Sequence, residues 1–194
     1  ILMSNSNLIK IFGAPIYMAH SLISENEINL LTKECFNLKK QIKKGGENWK
    51  SDVYNTLGTY DLRKNKKFNN INKTISSHVN IFAKQLGSNY DYTCSNGWFN
   101  FYNKGDYQEY HYHAKSYFSA VFILQNPKPE PKLIFKNPIL DMYPLENIEV
   151  NEFNAMTFEL GMPKNSLVIF RSFLEHMVEK TKTDDQRLSL AYNF

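Results

Sequence analysis

Seven short strand patterns follow one another in the second half of the chain, with no helical pattern between them. They are rich in aromatic and β-branched residues, and clusters of Gly, Asn, Asp and Pro separate them. A series of this kind favours a jelly-roll or a barrel. The patterns cover residues 98–102, 107–113, 117–124, 133–135, 156–160, 167–170 and 188–194.

Two helices are predicted in the first half of the chain. Ser24 and Glu27 have the spacing of a capping box, and Gly45-Gly46 is expected to end the helix that they begin. An apolar stripe predicts a second helix over about 68–86, with Gly87 as its C-cap. Both helices should pack against one outer face of the jelly-roll, so the fold class is mainly β with flanking helices.

The length suits a single domain over residues 1–194, with a helical half at about 20–87 and a jelly-roll core at about 90–194. A short edge strand is expected within 9–17. Met3 is expected to be the natural start, and Ile1-Leu2 are left out of the fold prediction. Apolar residues make up 42% of the chain and aromatic residues 14%, which argues against disorder.

The charge pattern excludes several partner classes. The net charge of +4 is scattered, whereas a nucleic-acid interface needs a larger and more concentrated basic patch. No apolar run reaches the roughly 18 residues of a membrane span. Cys35 and Cys94 lack metal-ligand spacing and are expected to be reduced thiols of a cytoplasmic protein. The Asn- and Lys-rich composition hints at an AT-rich genome, such as that of a marine bacterium or phage.

Three of the five histidines fall in the β half. His111 and His113 are two residues apart in a strand pattern, so both imidazoles should point to one face. His176 follows a strongly apolar strand and could complete a three-ligand metal site with open positions. The alternative is a pair of surface or hydrogen-bonded core imidazoles. His20 and His78 are expected to be structural or solvent-facing.

An arginine and a serine follow in the last strand pattern. Arg187 offers a fork of donors that fits a carboxylate, and Ser189 should point to the same face. The alternative is a surface ion pair between Arg187 and Asp184 or Asp185, which would contribute little.

The order and spacing of these residues resemble the Fe(II)/2-oxoglutarate oxygenases, and within them the prolyl-hydroxylase-like branch. More narrowly, the chain is similar to a small 2OG-Fe(II) oxygenase family of marine bacteria and phages, over nearly its whole length. This resemblance implies a double-stranded β-helix, which agrees with the jelly-roll pattern. The motif reads Tyr102-x-x-Gly105-x-x-Gln108-x-x-His111-x-His113, then His176, then Arg187-x-Ser189.

The resemblance implies that His111, His113 and His176 hold the iron. Most of the superfamily has Asp where this chain has His113, which makes the site one unit more positive. Glu109 is an alternative source of the carboxylate, with His113 released. Glu175 should point away from the site.

The same resemblance implies that Arg187 and Ser189 bind the distal carboxylate of 2-oxoglutarate. Tyr102 could donate its hydroxyl to that carboxylate, or it could be an ordinary core residue. Asn100 shares a strand face with Tyr102 and is a weaker candidate for contacting cosubstrate or substrate.

The implied activity is hydroxylation of an amino-acid or peptidyl substrate, with a prolyl side chain as one candidate. Fe(II), O2 and 2-oxoglutarate would be required, and 2-oxoglutarate would be decarboxylated to succinate. Two other readings remain open: a three-histidine dioxygenase or cupin that does not use 2-oxoglutarate, and a non-catalytic jelly-roll module with a structural metal. The expected partner is a small molecule or a peptide, with no nucleic acid and no membrane.

Overall fold

A computed structural model describes residues 13–45, 49–139, 149–151 and 154–194. The expected start at Met3 and residues 9–12 of the predicted edge strand lie outside these ranges. The described part contains two α-helices, α1 (Glu25–Lys39) and α2 (Asn69–Gln85), and ten strands. The strands are β1 (Ile16–His20), β2 (Tyr54–Asn55), β3 (Asn96–Tyr102), β4 (Gln108–His111), β5 (Phe118–Gln125), β6 (Leu133–Lys136), β7 (Thr157–Leu160), β8 (Ser166–Arg171), β9 (His176–Val178) and β10 (Arg187–Asn193).

The described strands form two antiparallel sheets. The larger sheet has the order β1-β8-β5-β10-β3-β2, and the smaller has the order β4-β9-β6-β7. Strands distant in sequence lie side by side, as a jelly-roll requires. The predicted fold class, mainly β with two flanking helices, is confirmed.

Two neighbouring strands of the larger sheet show how the sequence separates a core from a pocket. In β3, Phe99 and Phe101 enter the core beneath the helices, as do Leu188 and Leu190 in β10. The residues between them point to the opposite face, towards the smaller sheet. That inner face therefore carries Asn96, Trp98, Asn100 and Tyr102 from β3, and Arg187, Ser189, Ala191 and Asn193 from β10.

Helix α1 begins as predicted but ends earlier. Ser24 Oγ accepts a hydrogen bond from the Glu27 amide at 3.2 Å. The expectation that Gly45-Gly46 ends this helix was wrong, because α1 ends at Lys39. Gly45 serves a different purpose: a β-carbon there would lie 2.4 Å from the Leu57 carbonyl oxygen, so only glycine allows this approach.

Helix α2 buries the predicted apolar stripe and ends at the predicted glycine. Ile71, Ile75 and Val79 are fully buried against the larger sheet. Gly87 adopts a φ of 83°, and its amide bonds to the Lys84 carbonyl oxygen at 2.9 Å.

A second apolar cluster, which includes Ile123, Phe135 and Phe170, lies at the inner faces of the sheets. None of the helices in the described ranges is both long and apolar enough to cross a bilayer.

Candidate functional site

A cavity of about 290 Å³ opens between the two sheets. The inner faces of β3 and β10 form one wall, and β4, β9 and the residues that follow β4 form the other. The seven residues that the sequence singles out come from four separate stretches of the chain, and the fold brings them into this one cavity. They are Asn100, Tyr102, His111, His113, His176, Arg187 and Ser189.

The three histidines form a cluster that could hold a metal ion. His111 and His176 are direct cross-strand neighbours in β4 and β9, and His113 follows two residues after His111. One nitrogen from each ring lies within 4.8 Å of the others. The strand that contains His176 is short and was not predicted, but it places this histidine opposite His111.

Each ring is oriented through its Nδ1 atom. Nδ1 of His111 lies 2.7 Å from the Glu109 carbonyl oxygen, and Nδ1 of His176 lies 2.8 Å from the Leu174 carbonyl oxygen. A carbonyl oxygen can only accept, so each Nδ1 carries the proton and each Nε2 keeps its lone pair. This is the usual arrangement of metal-bound histidine. The donor set therefore fits a divalent iron ion.

His113 is held by side chains instead of backbone. Its Nδ1 lies 2.7 Å from Asn193 Oδ1 and 2.9 Å from Ser119 Oγ. Asn193 is the penultimate residue of the sequence, so the end of β10 fixes the orientation of this imidazole. Trp98 packs against the same ring, with centroids 5.7 Å apart.

Burial keeps all three imidazoles neutral. It lowers the pKa of His113 to about 4 and the pKa of His176 well below its ordinary value, and it also lowers the pKa of His111. Neutral imidazole is the form that binds metals, so at neutral pH no proton has to be displaced.

Neither of the two glutamates near the histidines belongs to the cluster. Glu109 Oε1 accepts a hydrogen bond from the Lys50 amide at 2.9 Å, and its Oε2 is buried without a partner among the described residues. The register of β4 against β9 shifts between Gln108 and His111. Regular alternation would have placed Glu109 on the same face as the histidines, and this shift interrupts it. Glu175 forms an ion pair with Lys136 at 2.8 Å, away from the cavity.

Arg187 is fully buried in the wall of this cavity. Its Nη1 donates to the Pro131 carbonyl oxygen at 3.0 Å and to Asn126 Oδ1 at 3.3 Å. Nε and Nη2 are buried without a partner, and no carboxylate of the described ranges lies within ion-pair distance. The alternative of a surface ion pair is wrong, since Asp184 pairs with Lys104 instead.

An uncompensated buried cation is unfavourable, so this arginine is suited to an anionic ligand. Tyr102 lies beside it, with the guanidinium carbon 5.7 Å from the ring centre, and burial raises the pKa of this phenol. The Tyr102 hydroxyl donates to Gln108 Oε1. The cavity thus combines a buried cation with the histidine cluster.

Several lining residues escaped the sequence prediction. The cavity is also lined by residues that the sequence analysis did not single out: Trp49, Asn55, Asn96, Trp98 and Asn193. Alternation along β3 and β10 could have indicated Trp98, Asn96 and Asn193, because they share a face with Asn100 and Ser189. Trp49 and Asn55 lie far from these strands in sequence, and no pattern predicts their place.

Comparison with known proteins agrees with this geometry. A family model described as "Putative 2OG-Fe(II) oxygenase" matches residues 96–193, just over half of the chain. No curated protein matches the chain. A prolyl-4-hydroxylase from Pseudomonas putida superposes with a TM-score of 0.63 at 14% identity, covering 93% of this chain and 92% of that one.

Two further solved structures share the fold. A prolyl hydroxylase from Trichoplax adhaerens, in complex with a hypoxia inducible factor peptide fragment, gives a TM-score of 0.61 at 14% identity over 92% of this chain and 83% of that one. The epimerase SnoN, in complex with Fe3+, alpha ketoglutarate and nogalamycin RO, gives a TM-score of 0.65 at 10% identity, covering 92% of this chain and 78% of that one. At these identities the likeness shows the fold, and the family match carries the assignment. The chain belongs to the 2OG-Fe(II) oxygenase family.

Proposed function

We propose that this chain hydroxylates an amino-acid or peptidyl substrate, with iron held by His111, His113 and His176 and 2-oxoglutarate anchored by Arg187. The observation that supports this most is the buried guanidinium, which has no counter-ion among the described residues and lies in the same cavity as three neutral imidazoles. A metal site alone would not need such an arginine. A carboxylate-binding site alone would not need the histidines.

In this proposal Arg187 receives the distal carboxylate of 2-oxoglutarate through Nε and Nη2. Such a charge-assisted contact is short and roughly twice as strong as a neutral one. Ser189, two residues further along β10, adds a hydroxyl donor on the same face. Rotation of the Gln108 amide would present its NH2 to Tyr102 and free the phenolic proton for the same carboxylate.

The three imidazoles bind the metal through Nε2, because their Nδ1 protons are already committed to oxygen acceptors. When bound, iron and 2-oxoglutarate supply the oxidising chemistry, in which O2 and 2-oxoglutarate yield succinate, CO2 and the hydroxylated substrate. Val121, Leu133 and Val178 line the same cavity with apolar surface that limits water around the reacting groups.

The replacement of the usual Asp by His113 changes the charge of the site. Three neutral imidazoles leave the full positive charge of the metal, one unit more than a set with a carboxylate. This favours binding of the dianionic cosubstrate and disfavours the higher oxidation states of the metal. We expect tight binding of 2-oxoglutarate and slow turnover relative to a variant with Asp at this position.

The choice of substrate class follows from the motif order, which is that of the prolyl-hydroxylase-like branch. Of the three solved structures described above, two are prolyl hydroxylases, and one of these holds a peptide fragment. Another is an epimerase, so the fold alone does not select hydroxylation.

The test is an anaerobic titration of the metal-free protein with Fe(II) and then 2-oxoglutarate, followed by the visible charge-transfer absorption of the iron–keto-acid complex. The wild type should develop this band. Arg187→Ala should lose it at moderate 2-oxoglutarate concentrations, and His176→Ala should lose it at all concentrations.

Matched controls come from the same chain. Arg171 is exposed on β8 and His20 is exposed at the end of β1, so Arg171→Ala and His20→Ala should retain the band. Iron binding without a band in the wild type would favour a three-histidine dioxygenase that does not use 2-oxoglutarate. Tight zinc retention with loss of stability on chelation would favour a structural metal.

A further inference from the structure

Three buried polar residues form one row across neighbouring strands of the larger sheet. Ser189 in β10 is paired with Asn100 in β3, and Asn100 is paired with Asn55 in β2. Paired residues of antiparallel strands point to the same face, so the row runs across the cavity wall. The row starts on β10, the strand that carries Arg187, and runs across the sheet to β2. The side chains are buried: Ser189 is 2% exposed, Asn100 3% and Asn55 1%.

The orientation of the Asn55 side chain is fixed. Its Oδ1 accepts a hydrogen bond from the Leu57 amide at 3.1 Å, and its backbone carbonyl accepts one from the Gly45 amide at 2.8 Å. Its Nδ2 must therefore be the free end. This buried NH2 group has no hydrogen-bond partner among the residues that the structure describes.

In Asn100 the unpaired atom is the acceptor oxygen and not the amide nitrogen. Its Nδ2 lies 3.5 Å from Ser189 Oγ, and its Oδ1 is buried without a partner in the described part of the chain. A buried donor and a buried acceptor thus lie on adjacent strands, each without a hydrogen-bond partner among the described residues, which is unfavourable. Unsatisfied polar groups in a cavity wall indicate a ligand that pairs with them.

We propose that Asn55 and Asn100 form the substrate-binding pair of this enzyme and recognise a neutral amide, either a carboxamide side chain or a peptide bond. This inference rests on the proposed function, because it assigns the substrate of that same site. An amide carries an acceptor oxygen for Asn55 Nδ2 and an N–H donor for Asn100 Oδ1. A ketone or an ester offers only the acceptor, and an ammonium group offers only donors.

The charges of the cavity support a neutral substrate group. Arg187 is the fixed charge among its described lining residues, and a divalent metal together with the dianionic cosubstrate leaves the loaded site with about one positive charge. This charge repels a substrate ammonium, and a substrate carboxylate has no proton to donate to Asn100 Oδ1. The cosubstrate itself does not fit the pair, since its carboxylates have no proton to donate to Asn100 Oδ1.

The inference can be tested by fluorescence, because both tryptophans of the chain, Trp49 and Trp98, line the cavity. The protein is loaded with Zn(II), which has no redox chemistry, and with 2-oxoglutarate. Propionamide, 2-butanone and propionate, which are similar in shape, are then titrated and their dissociation constants compared. Wild type should bind propionamide about 3- to 10-fold more tightly than 2-butanone, the worth of one neutral hydrogen bond. Propionate should bind most weakly.

The two asparagines should respond differently. Asn55→Ala removes the donor and should weaken propionamide and 2-butanone alike, by about 3- to 10-fold. Asn100→Ala removes the acceptor and should weaken propionamide alone, because 2-butanone has no proton to give. Asn55→Asp is a second variant that keeps the bond to the Leu57 amide and replaces only the donor. Asn29→Ala, on the exposed face of α1, is the control and should change nothing.

The outcomes separate the two proposals. If wild type binds 2-oxoglutarate but shows no preference for the amide, or if Asn100→Ala weakens both neutral probes equally, the Asn pair is not an amide site and the proposed function stands. If wild type does not bind 2-oxoglutarate in the presence of metal, both the proposed function and this inference are overturned.

Discussion

Replacing Arg187 by methionine should separate the function of this residue from its effect on stability. The side chain is fully buried and makes two hydrogen bonds, to the Pro131 carbonyl oxygen and to Asn126 Oδ1. Leaving those two acceptors unpaired costs about 1–3 kcal/mol each. Removing a buried ion without a counter-ion contributes several kcal/mol in the opposite direction.

These opposing effects nearly cancel. For Arg187→Met we expect the free energy of unfolding of the metal-free protein to change by no more than about 2 kcal/mol, since the methionine fills much of the same volume. Urea unfolding, followed by circular dichroism in the presence of a chelator, measures this quantity. Most single substitutions of a fully buried residue would be more destabilising.

The affinity for 2-oxoglutarate should change far more. Two charge-assisted hydrogen bonds contribute about 1.5–3 kcal/mol each, so their loss should weaken binding by roughly 10²- to 10⁴-fold. Calorimetric titration of the Zn(II)-loaded protein gives the dissociation constant. If Arg187→Met destabilises the fold by more than about 4 kcal/mol and leaves the 2-oxoglutarate affinity unchanged, the arginine is structural and the reasoning is refuted.

Three further substitutions test the histidine site and the packing of the fold around it. Asn193→Leu removes an acceptor from Nδ1 of His113 and should lower metal affinity by about 10-fold or more, measured with Co(II) absorption. Gly97→Ala places a β-carbon 2.7 Å from a ring carbon of buried Tyr192 and should destabilise the protein by about 1–3 kcal/mol in urea unfolding. Ile75→Ala empties a fully buried position of α2 and should lower the free energy of unfolding by about 2–5 kcal/mol.

Each of these substitutions has a control or a contrary outcome. Ile81 lies on the same helix and is 45% exposed, so Ile81→Ala should stay within about 0.5 kcal/mol of wild type. Unchanged metal affinity in Asn193→Leu would mean that Ser119 alone orients the histidine. A neutral Gly97→Ala would show that the tyrosine ring can move aside without loss of packing.

Strands β3 and β10, which form one wall of the site, could be predicted closely, because each alternates over several residues, whereas the short strand β9 could not. Apolar side chains at every second position of 98–102 and 188–194 indicate which face is buried, and strands β3 and β10 occupy nearly those residues. The helices were predictable from their stripes and caps, apart from the C-terminal end of α1. The prediction of that end was wrong because Gly45 is required for close contact with Leu57 and does not end the helix. No local pattern in the sequence indicates this contact.

Residue type and spacing, which are local properties, determined the fold class and five of the site candidates, and the family resemblance added Tyr102 and Asn100. The contacts around the candidate residues were decided by the tertiary structure alone. It paired His111 with His176, bonded Glu109 to the Lys50 amide, and buried Arg187 without a counter-ion in the part of the chain that the structure describes. It also brought Trp49 and Asn55 into the cavity from another part of the chain. These outcomes depend on strand register and on which distant segments pack together, and register is fixed only when both sheets form.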